Sequence, residues 1–252
     1  MKPLITTENL TIGYGKQPLI SDIHFQLKSQ EICCILGANG AGKSTFLRTL
    51  LGIQPSLQGQ IWFDNQPLAS YSQQELAQQI AYVPQAHQSL FPFSVKEMVL
   101  MGRSAYLKWY QTPAKTDEQI ALQALETMQI AHLAPRYYHQ LSGGEKQLVL
   151  IARAIAQQAK LLIMDEPASS LDFGNQIRLL EQIKRLRQQQ IALLITTHSP
   201  QQAHYLADSI VILDKQRSPA FLQGEKKAML TLEQLAQTYK IEADLLAQHL
   251  PF

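Results

Sequence analysis

The sequence predicts an α/β fold: a mixed sheet built around a P-loop, with an antiparallel β portion early in the chain and a helical subdomain inserted midway. Three observations carry this expectation. Apolar runs at Ile32-Cys33-Cys34-Ile35-Leu36, Leu161-Leu162-Ile163-Met164 and Ile191-Ala192-Leu193-Leu194-Ile195 read as strands buried on both faces. The first run breaks into a glycine-rich bend, Gly37 to Ser44, and then into a helix. Between residues 86 and 140 the pattern turns to capped helices with apolar stripes.

Composition bounds the reading. A chain of 252 residues with 46% hydrophobic content and 17% charge can bury a large core as one domain with a satellite. The net charge of +2 is dispersed, and the densest basic run, Lys184-Arg185-Leu186-Arg187, fits the solvated face of an amphipathic helix. No nucleic-acid partner is indicated. Met1-Lys2-Pro3-Leu4 lacks the apolar run of a signal peptide and no stretch approaches the length of a spanning helix, so cytoplasmic residence is expected. Cys33 and Cys34, adjacent on a buried strand, suit core packing rather than a disulfide or a metal, and no Cys/His cluster has ligand spacing.

Taken in order, Leu10 to Gly15 ends a first strand in Tyr14, which reads either as a ring offered to a base or as a turn residue between glycines. Asp22 to Lys28 alternates strictly and predicts a strand with one wet face; His24 is a surface residue on it. The bend Gly37-Ala38-Asn39-Gly40-Ala41-Gly42-Lys43-Ser44 meets the Walker A spacing in full. Gly37, Gly40 and Gly42 let successive N–H groups converge on a phosphate chain, Lys43 adds a point charge, and Ser44 offers a hydroxyl to Mg²⁺. The helix from Lys43 to Leu51 aims its positive end at the same anion. Gln60 to Phe63 with the turn residues Asp64-Asn65 predicts a hairpin, and Ser72-x-x-Glu75 a capping box.

Ile80 to Val83 reads as a strand stopped by Pro84, leaving Gln85 at its end. Ser94-x-x-Glu97 and Thr116-x-x-Gln119 are read as capping boxes, and Ile120, Leu122, Leu125 and Met128 as the core stripe of the second helix. Leu141-Ser142-Gly143-Gly144-Glu145 also contains a capping box, which leaves its paired glycine unexplained. Each glycine weakens a helix start by roughly 1 kcal/mol, a cost that makes sense if bare N–H groups meet an external anion. Leu161 to Pro167 ends a buried strand in Asp165 and Glu166, at the carboxyl edge where α/β sheets bind ligands. Asp165 then lies beside Mg²⁺ through water and Glu166 faces the γ-phosphate and the attacking water, unless the pair only caps the helix expected from Asn175 to Gln188. The run from Ile191 delivers His198 at its polar end, where an ordinary strand-end histidine is the competing reading. Ile210 to Leu213 is a further strand, 214–224 a hairpin or loop, and Thr231-x-x-Gln234 and Ala243 to Leu250 mark two short helices. The expected division is a domain over 1–225, with core 1–85 and 141–225 and an insert at 86–140, followed by a tail at 226–252.

In this order the motifs closely resemble the nucleotide-binding subunit of ABC transporters, over nearly the whole chain. The resemblance implies the ABC ATPase type of P-loop fold, ATP and Mg²⁺ as cofactors, and hydrolysis coupled to transport. It makes Tyr14 the aromatic that stacks on adenine. Nucleotide contacts run through Gly37, Ala38, Asn39, Gly40, Ala41, Gly42, Lys43, Ser44 and Thr45, with Ser142, Gly143 and Gly144 as the signature. It makes Gln85 the Q-loop residue near the metal, Asp165 a metal ligand with Ser44, Glu166 the catalytic base, His198 the switch histidine, and Asp172 the end of the D-loop. Ala38 stands where proline is frequent, and Glu145 where glutamine is commoner. The segments Val83-Pro84-Gln85, Ser89 to Val95 and Val99 to Arg103 are similar to importer ATPases serving siderophores, haem, cobalamin and related metal chelates, with a molybdate or tungstate branch. The C-terminal piece around Leu230 to Tyr239 looks like that group's ending, shortened.

The resemblance also implies partners. Two copies pair head to tail around two ATP at the cytoplasmic face of the membrane, with permease subunits and, through them, a substrate-binding protein. Three rivals remain at this point: an exporter ATPase, a soluble ABC ATPase acting on ribosomes or DNA, and a non-hydrolysing module. The second usually carries tandem cassettes or coiled-coil inserts, and no sustained heptads occur here; Glu166 and His198 count against the third.

Overall fold

The computed structural model describes residues 2–85, 92–169 and 171–249. In chain order the elements begin with β1 (Pro3–Tyr14), β2 (Gln17–Ile23), β3 (Gln26–Lys28), β4 (Ile32–Leu36), α1 (Lys43–Leu50), β5 (Gln58–Phe63) and β6 (Gln66–Pro67). The middle of the chain forms α2 (Gln73–Gln79), β7 (Ile80–Val83), α3 (Val95–Leu100), α4 (Lys115–Thr127), α5 (Gly143–Ala156), β8 (Leu161–Asp165) and α6 (Phe173–Arg185). The last part contains β9 (Ala192–Thr196), α7 (Pro200–Leu206), β10 (Ser209–Leu213), β11 (Phe221–Glu225), α8 (Lys226–Met229), α9 (Leu232–Tyr239) and α10 (Ala243–Ala247). Two compact units result: Met1–Tyr71 with Ala192–Phe252, and Ser72–Ile191.

In the first unit an antiparallel sheet runs β2-β1-β5-β6, with β3 also on β1, and the turn at Asp64 and Asn65 takes positive φ at both positions, as a tight hairpin demands. Beside it, β4 pairs in parallel with β10 and β9, and β11 returns antiparallel to β10, so the sheet is mixed. Every residue of β4 and β9 is buried, which is why both read as unbroken apolar runs. The two cysteines of β4 are free, and burial raises both thiols, Cys33 to about 12 and Cys34 well above its usual value, so neither is a reactive thiolate. Phe46 of α1 packs edge-on against Phe25 and Phe221, at 5.3 and 5.5 Å between ring centres, locking the helix that follows the P-loop.

In the second unit β7 and β8 pair in parallel, and helices α3, α4 and α5 pack on one another. The expected insert at 86–140 lies inside this unit, and its residues 86–91, Ser89 to Phe91 among them, lie outside the described residues. Real capping boxes open α2 at Ser72, α3 at Ser94 and α5 at Ser142.

Four expectations are corrected. The strand over Asp22 to Lys28 breaks after Ile23, where Asp22 has a φ of 58° and β1 changes partner from β2 to β3. The buried hydroxyl of Thr7 fills the break, donating to the Ile23 carbonyl and accepting from the Phe25 N–H, each at 2.9 Å; the inward side of the alternation survives as buried Ile23, Phe25 and Leu27. Thr116 is no cap: α4 starts at Lys115, and the Asp117 carboxylate accepts from the Ala114 N–H at 3.0 Å instead. The stripe of α4 is Asp117, Ala121, Ala124 and Leu125, continued by Met128, while Leu122 points to solvent at 37% exposure; the helical period holds and only its phase differs from the expected one. Finally α6 starts two residues before Asn175, capped by Asp172, whose carboxylate accepts from the Asn175 N–H at 3.0 Å, and it ends at Arg185 in a 3₁₀ turn. Of the C-terminal helix, Ala243–Ala247 is formed, and residue 250 lies outside the described residues.

Candidate functional site

In the first unit β4 stops at Leu36 because the chain must turn at Gly37. A Cβ there would stand 2.4 Å from the Leu213 carbonyl oxygen of β10, so only glycine lets the P-loop leave the sheet edge. Ala38, Asn39 and Gly40 are exposed, and Gly40 and Gly42 take φ of 74° and 108°. Gly42 is the left-handed N-cap of α1 and has no side chain with which to cap the first turn. Lys43 is buried, its ammonium donating to the carbonyls of Gly37 at 2.8 Å and Ala38 at 3.3 Å. The amine is thus held over the bend. Ser44 follows it at the start of α1, whereas Thr45 is buried, its hydroxyl sharing a 2.8 Å hydrogen bond with the Tyr14 hydroxyl.

That bond places Tyr14, 56% exposed at the end of β1, against the P-loop helix, with its ring presented to solvent and its hydroxyl end fixed. His198 is exposed just past β9, and its carbonyl accepts from the Tyr239 hydroxyl of α9 at 3.0 Å. The turn before α7 is fixed by Thr197, buried, whose hydroxyl bonds Gln202 at 2.7 Å and accepts from the Ser199 N–H at 3.1 Å. The C-terminal segment therefore supports the turn that carries His198, a part that the composition of the tail did not reveal.

In the second unit β8 ends in Asp165 and Glu166, both half-buried, and Glu166 holds a left-handed backbone with a φ of 47°. For a residue with a Cβ this conformation costs on the order of 1 kcal/mol, and such strain collects where a side chain must be aimed. The turn is closed by Ser169, whose N–H and hydroxyl both donate to the Glu166 carbonyl, at 3.2 and 3.0 Å. Gln85 reaches the same hydroxyl, its amide donating at 3.0 Å. One serine thus ties the residue after β7 to the residue after β8. Sequence reasoning passed over Ser169; its place three residues beyond the paired carboxylates is the signal that was available.

The segment expected to be the signature, Ser142 to Gly144, opens α5. Ser142 accepts from the Glu145 N–H at 3.3 Å, while its own N–H and hydroxyl donate to the Glu145 carboxylate at 2.8 Å. Those bonds, the backbone one foremost, hold the Glu145 carboxyl below its usual range, and Arg136 adds to this at 3.8 Å. The paired glycine divides into two cases. A Cβ on Gly144 would stand 3.0 Å from the Asn175 side chain, a tight approach to α6 that asks Asn175 to give way, whereas Gly143 is exposed and, among the described residues, meets Leu171 alone, at 3.8 Å. Packing therefore bears on one glycine of the pair and not visibly on the other. On α6 itself Phe173 and Ile177, one turn apart and 78% and 48% exposed, form an apolar patch beside Asp172 that sequence reasoning also passed over. Two hydrogen bonds from Asn175, the backbone one foremost, lower the Asp172 carboxyl.

The donor set fits a nucleoside triphosphate with Mg²⁺. In the first unit Lys43 holds its ammonium over the bend and Ser44 follows with a hydroxyl, groups that suit phosphates and Mg²⁺, and Mg²⁺ needs few protein ligands because phosphates and water complete its shell. Among the described residues no group of three or more His, Cys, Asp or Glu gathers to hold a metal alone, and no helix is long and apolar enough to cross a membrane.

Comparison with known proteins agrees. A family model described as ABC transporter matches residues 20–169. An uncharacterised ABC transporter ATP-binding protein of Haemophilus influenzae is 65% identical over 98% of this chain and 93% of its own. The molybdate import ATP-binding protein MolC of the same organism is 39% identical, over 96% and 90%. Among solved structures, a metal-chelate type ABC transporter in an inward-facing conformation superposes with a TM-score of 0.84 at 38% identity, covering 95% of this chain and 90% of that one.

Proposed function

The chain belongs to the ABC transporter family, as an ATPase that hydrolyses ATP to drive transport, and from that premise we propose that it energises import of a metal chelate or a molybdate-type oxyanion through a separate permease. The observation that carries the substrate class is its likeness, along nearly its full length, to a molybdate import ATPase and to a metal-chelate type transporter. Siderophore, haem and cobalamin complexes fall within the same class.

In this reading Gly37 to Thr45 hold the triphosphate, Tyr14 stacks on the base, and Ser44, Asp165 and Gln85 share the Mg²⁺ shell. Bound Mg²⁺ supplies charge neutralisation on the phosphates. Phosphoryl transfer asks little covalent chemistry of the protein, so Glu166 needs only to orient and polarise water, and His198 to contact the terminal phosphate. A second copy contributes Ser142, Gly143 and Gly144 to each nucleotide; only the triphosphate binds that closed state preferentially, which makes ATP the glue of the pair and ADP its release.

The test is reconstitution in proteoliposomes with the permease and binding protein with which the chain copurifies. ATP-driven accumulation of labelled molybdate, ferric siderophore, haem or cobalamin, lost in Glu166→Gln, supports the proposal. Outward transport alone assigns an exporter and overturns it.

A further inference from the structure

The segment after α3 is built as a stalk with a tip. Over Met101–Tyr106 the chain runs as a 3₁₀ helix whose polar groups are tied to the second unit's helices. A Cβ on Gly102 would stand 2.1 Å from the Arg153 carbonyl oxygen, so the stalk lies directly on the α5 backbone. Arg103 is buried; it donates to Asp117 and to the Ala156 carbonyl, each at 2.9 Å, and lies 3.9 Å over the Tyr106 ring. Tyr106 donates to the Gln157 carbonyl at 2.9 Å, and the Ala105 carbonyl accepts from Gln74 and Gln78.

The tip is the reverse. Lys108 and Gln111 close a turn through two hydrogen bonds, of 2.9 and 3.0 Å, and the residues between them face water. Trp109 is 96% exposed and Tyr110 62%, their rings edge-on at 5.5 Å, with the Lys108 ammonium 5.9 Å from the Tyr110 ring. Between Glu97 and Asp117 the sequence holds no Asp or Glu, and the exposed charges along that stretch of chain are Lys108 and Lys115.

A tryptophan and a tyrosine held together in water on a fixed mount form the kind of exposed aromatic patch that marks an interaction surface. A protein socket generally surrounds its aromatic anchor with aliphatic residues, whereas here Trp109 is flanked in the chain by exposed Lys108, Tyr110, Gln111, Thr112 and Pro113, with Leu107 half-buried, a cationic and aromatic edge rather than an aliphatic one. Tryptophan, tyrosine and lysine together match the headgroup layer, where amphipathic rings settle and ammonium groups meet lipid phosphates. We propose that the Lys108–Tyr110 tip, with Lys115, docks on the headgroups of an anionic phospholipid surface. This rests on the reading that the chain works beside a membrane permease.

The second tryptophan makes the test direct. Trp62 has a buried indole nitrogen with no hydrogen-bond partner, so Trp62→Phe forfeits no bond and leaves Trp109 as the sole reporter in the full chain. With vesicles of phosphatidylglycerol and phosphatidylethanolamine, Trp109 emission shifts to the blue and is quenched by brominated acyl chains; phosphatidylcholine vesicles give neither. Lys108→Glu and Lys115→Glu each weaken sedimentation with the anionic vesicles at least about fivefold, and high salt abolishes it. Trp109→Ala with Tyr110→Ala lowers it about tenfold, with basal ATP hydrolysis unchanged. Absence of the blue shift, equal binding to phosphatidylcholine, or binding only to permease-containing vesicles overturns the proposal. A chain that binds the anionic vesicles but hydrolyses no ATP beside its permease counts against the transport reading instead.

Discussion

At Tyr14 the structure separates two contributions that one substitution would confuse. The ring is exposed while the hydroxyl bonds Thr45 at 2.8 Å, so Tyr14→Phe keeps the exposed ring face proposed to stack and loses the hydroxyl tether. Tyr14→Ala is expected to raise the apparent KM for ATP with little change in kcat, and Tyr14→Phe to stay near the parent; steady-state kinetics on both variants decide it, and equal losses in the two would assign the effect to the hydrogen bond. Glu166 invites a complementary measurement. Its left-handed backbone lies in the turn that Ser169 closes through bonds to the Glu166 carbonyl, which Glu166→Gln retains. Such a variant binds ATP as the parent does and loses steady-state hydrolysis by roughly two to four powers of ten, the usual share of general-base catalysis. Turnover at the parent rate would remove Glu166 from the role of base. Gly37 differs from both, because its requirement is steric: Gly37→Ala drives a Cβ to 2.4 Å from the Leu213 carbonyl oxygen. A loss of about 1–3 kcal/mol in denaturant unfolding is expected, together with loss of nucleotide binding.

Among the elements, those legible in the sequence were the ones specified by local chemistry. Ser72, Ser94 and Ser142 each announced a helix start through a glutamate three residues on, and the apolar runs of β4, β8 and β9 announced buried strands. What stayed hidden depended on partners distant in the chain. The break after Ile23 follows from Thr7, and the start of α4 from Arg103, which holds Asp117 from fourteen residues away. The Arg103–Asp117 pair is also an electrostatic tie among the second unit's helices, with both side chains nearly buried. The Ala114 N–H first, and then Arg103, hold the Asp117 carboxyl below its usual range. Because its folded value is depressed, the stabilisation is fully present above the ordinary carboxylate range and is lost as pH falls through the folded value. Asp117→Asn should therefore destabilise by about 2–4 kcal/mol at neutral pH, and its deficit should shrink as the solution is acidified. Urea unfolding from neutral pH down through the carboxylate range reads this out; a deficit constant with pH would mean that the aspartate acts by shape alone.

For the molecule as a whole the decisive question is whether one copy suffices, and Gly143 offers a clean way to ask it. Gly144 serves less well, since a Cβ there would press on the Asn175 side chain at 3.0 Å and mix a packing effect into the result. Gly143 is exposed, takes no positive φ, and among the described residues meets Leu171 alone, at 3.8 Å, so those residues leave room for a side chain at this position. Replacing a helical glycine also favours the helix by roughly 0.5–1 kcal/mol. Gly143→Arg is thus expected to unfold no earlier than the parent and to bind ATP with parental affinity per chain. If the exposed face of Gly143 meets the triphosphate held by a second copy, the arginine blocks that meeting. In the Glu166→Gln background, where hydrolysis no longer removes the ligand, the unmodified signature yields an ATP-dependent dimer by analytical ultracentrifugation and ADP yields monomers; adding Gly143→Arg leaves monomers with either nucleotide. The exposed Phe173 and Ile177 beside Asp172 supply apolar surface for such a contact, and Phe173→Ser should weaken the dimer without changing ATP affinity. Dimers that persist in the Gly143→Arg variant would place the signature away from any shared nucleotide and leave its exposed glycine without a role in hydrolysis.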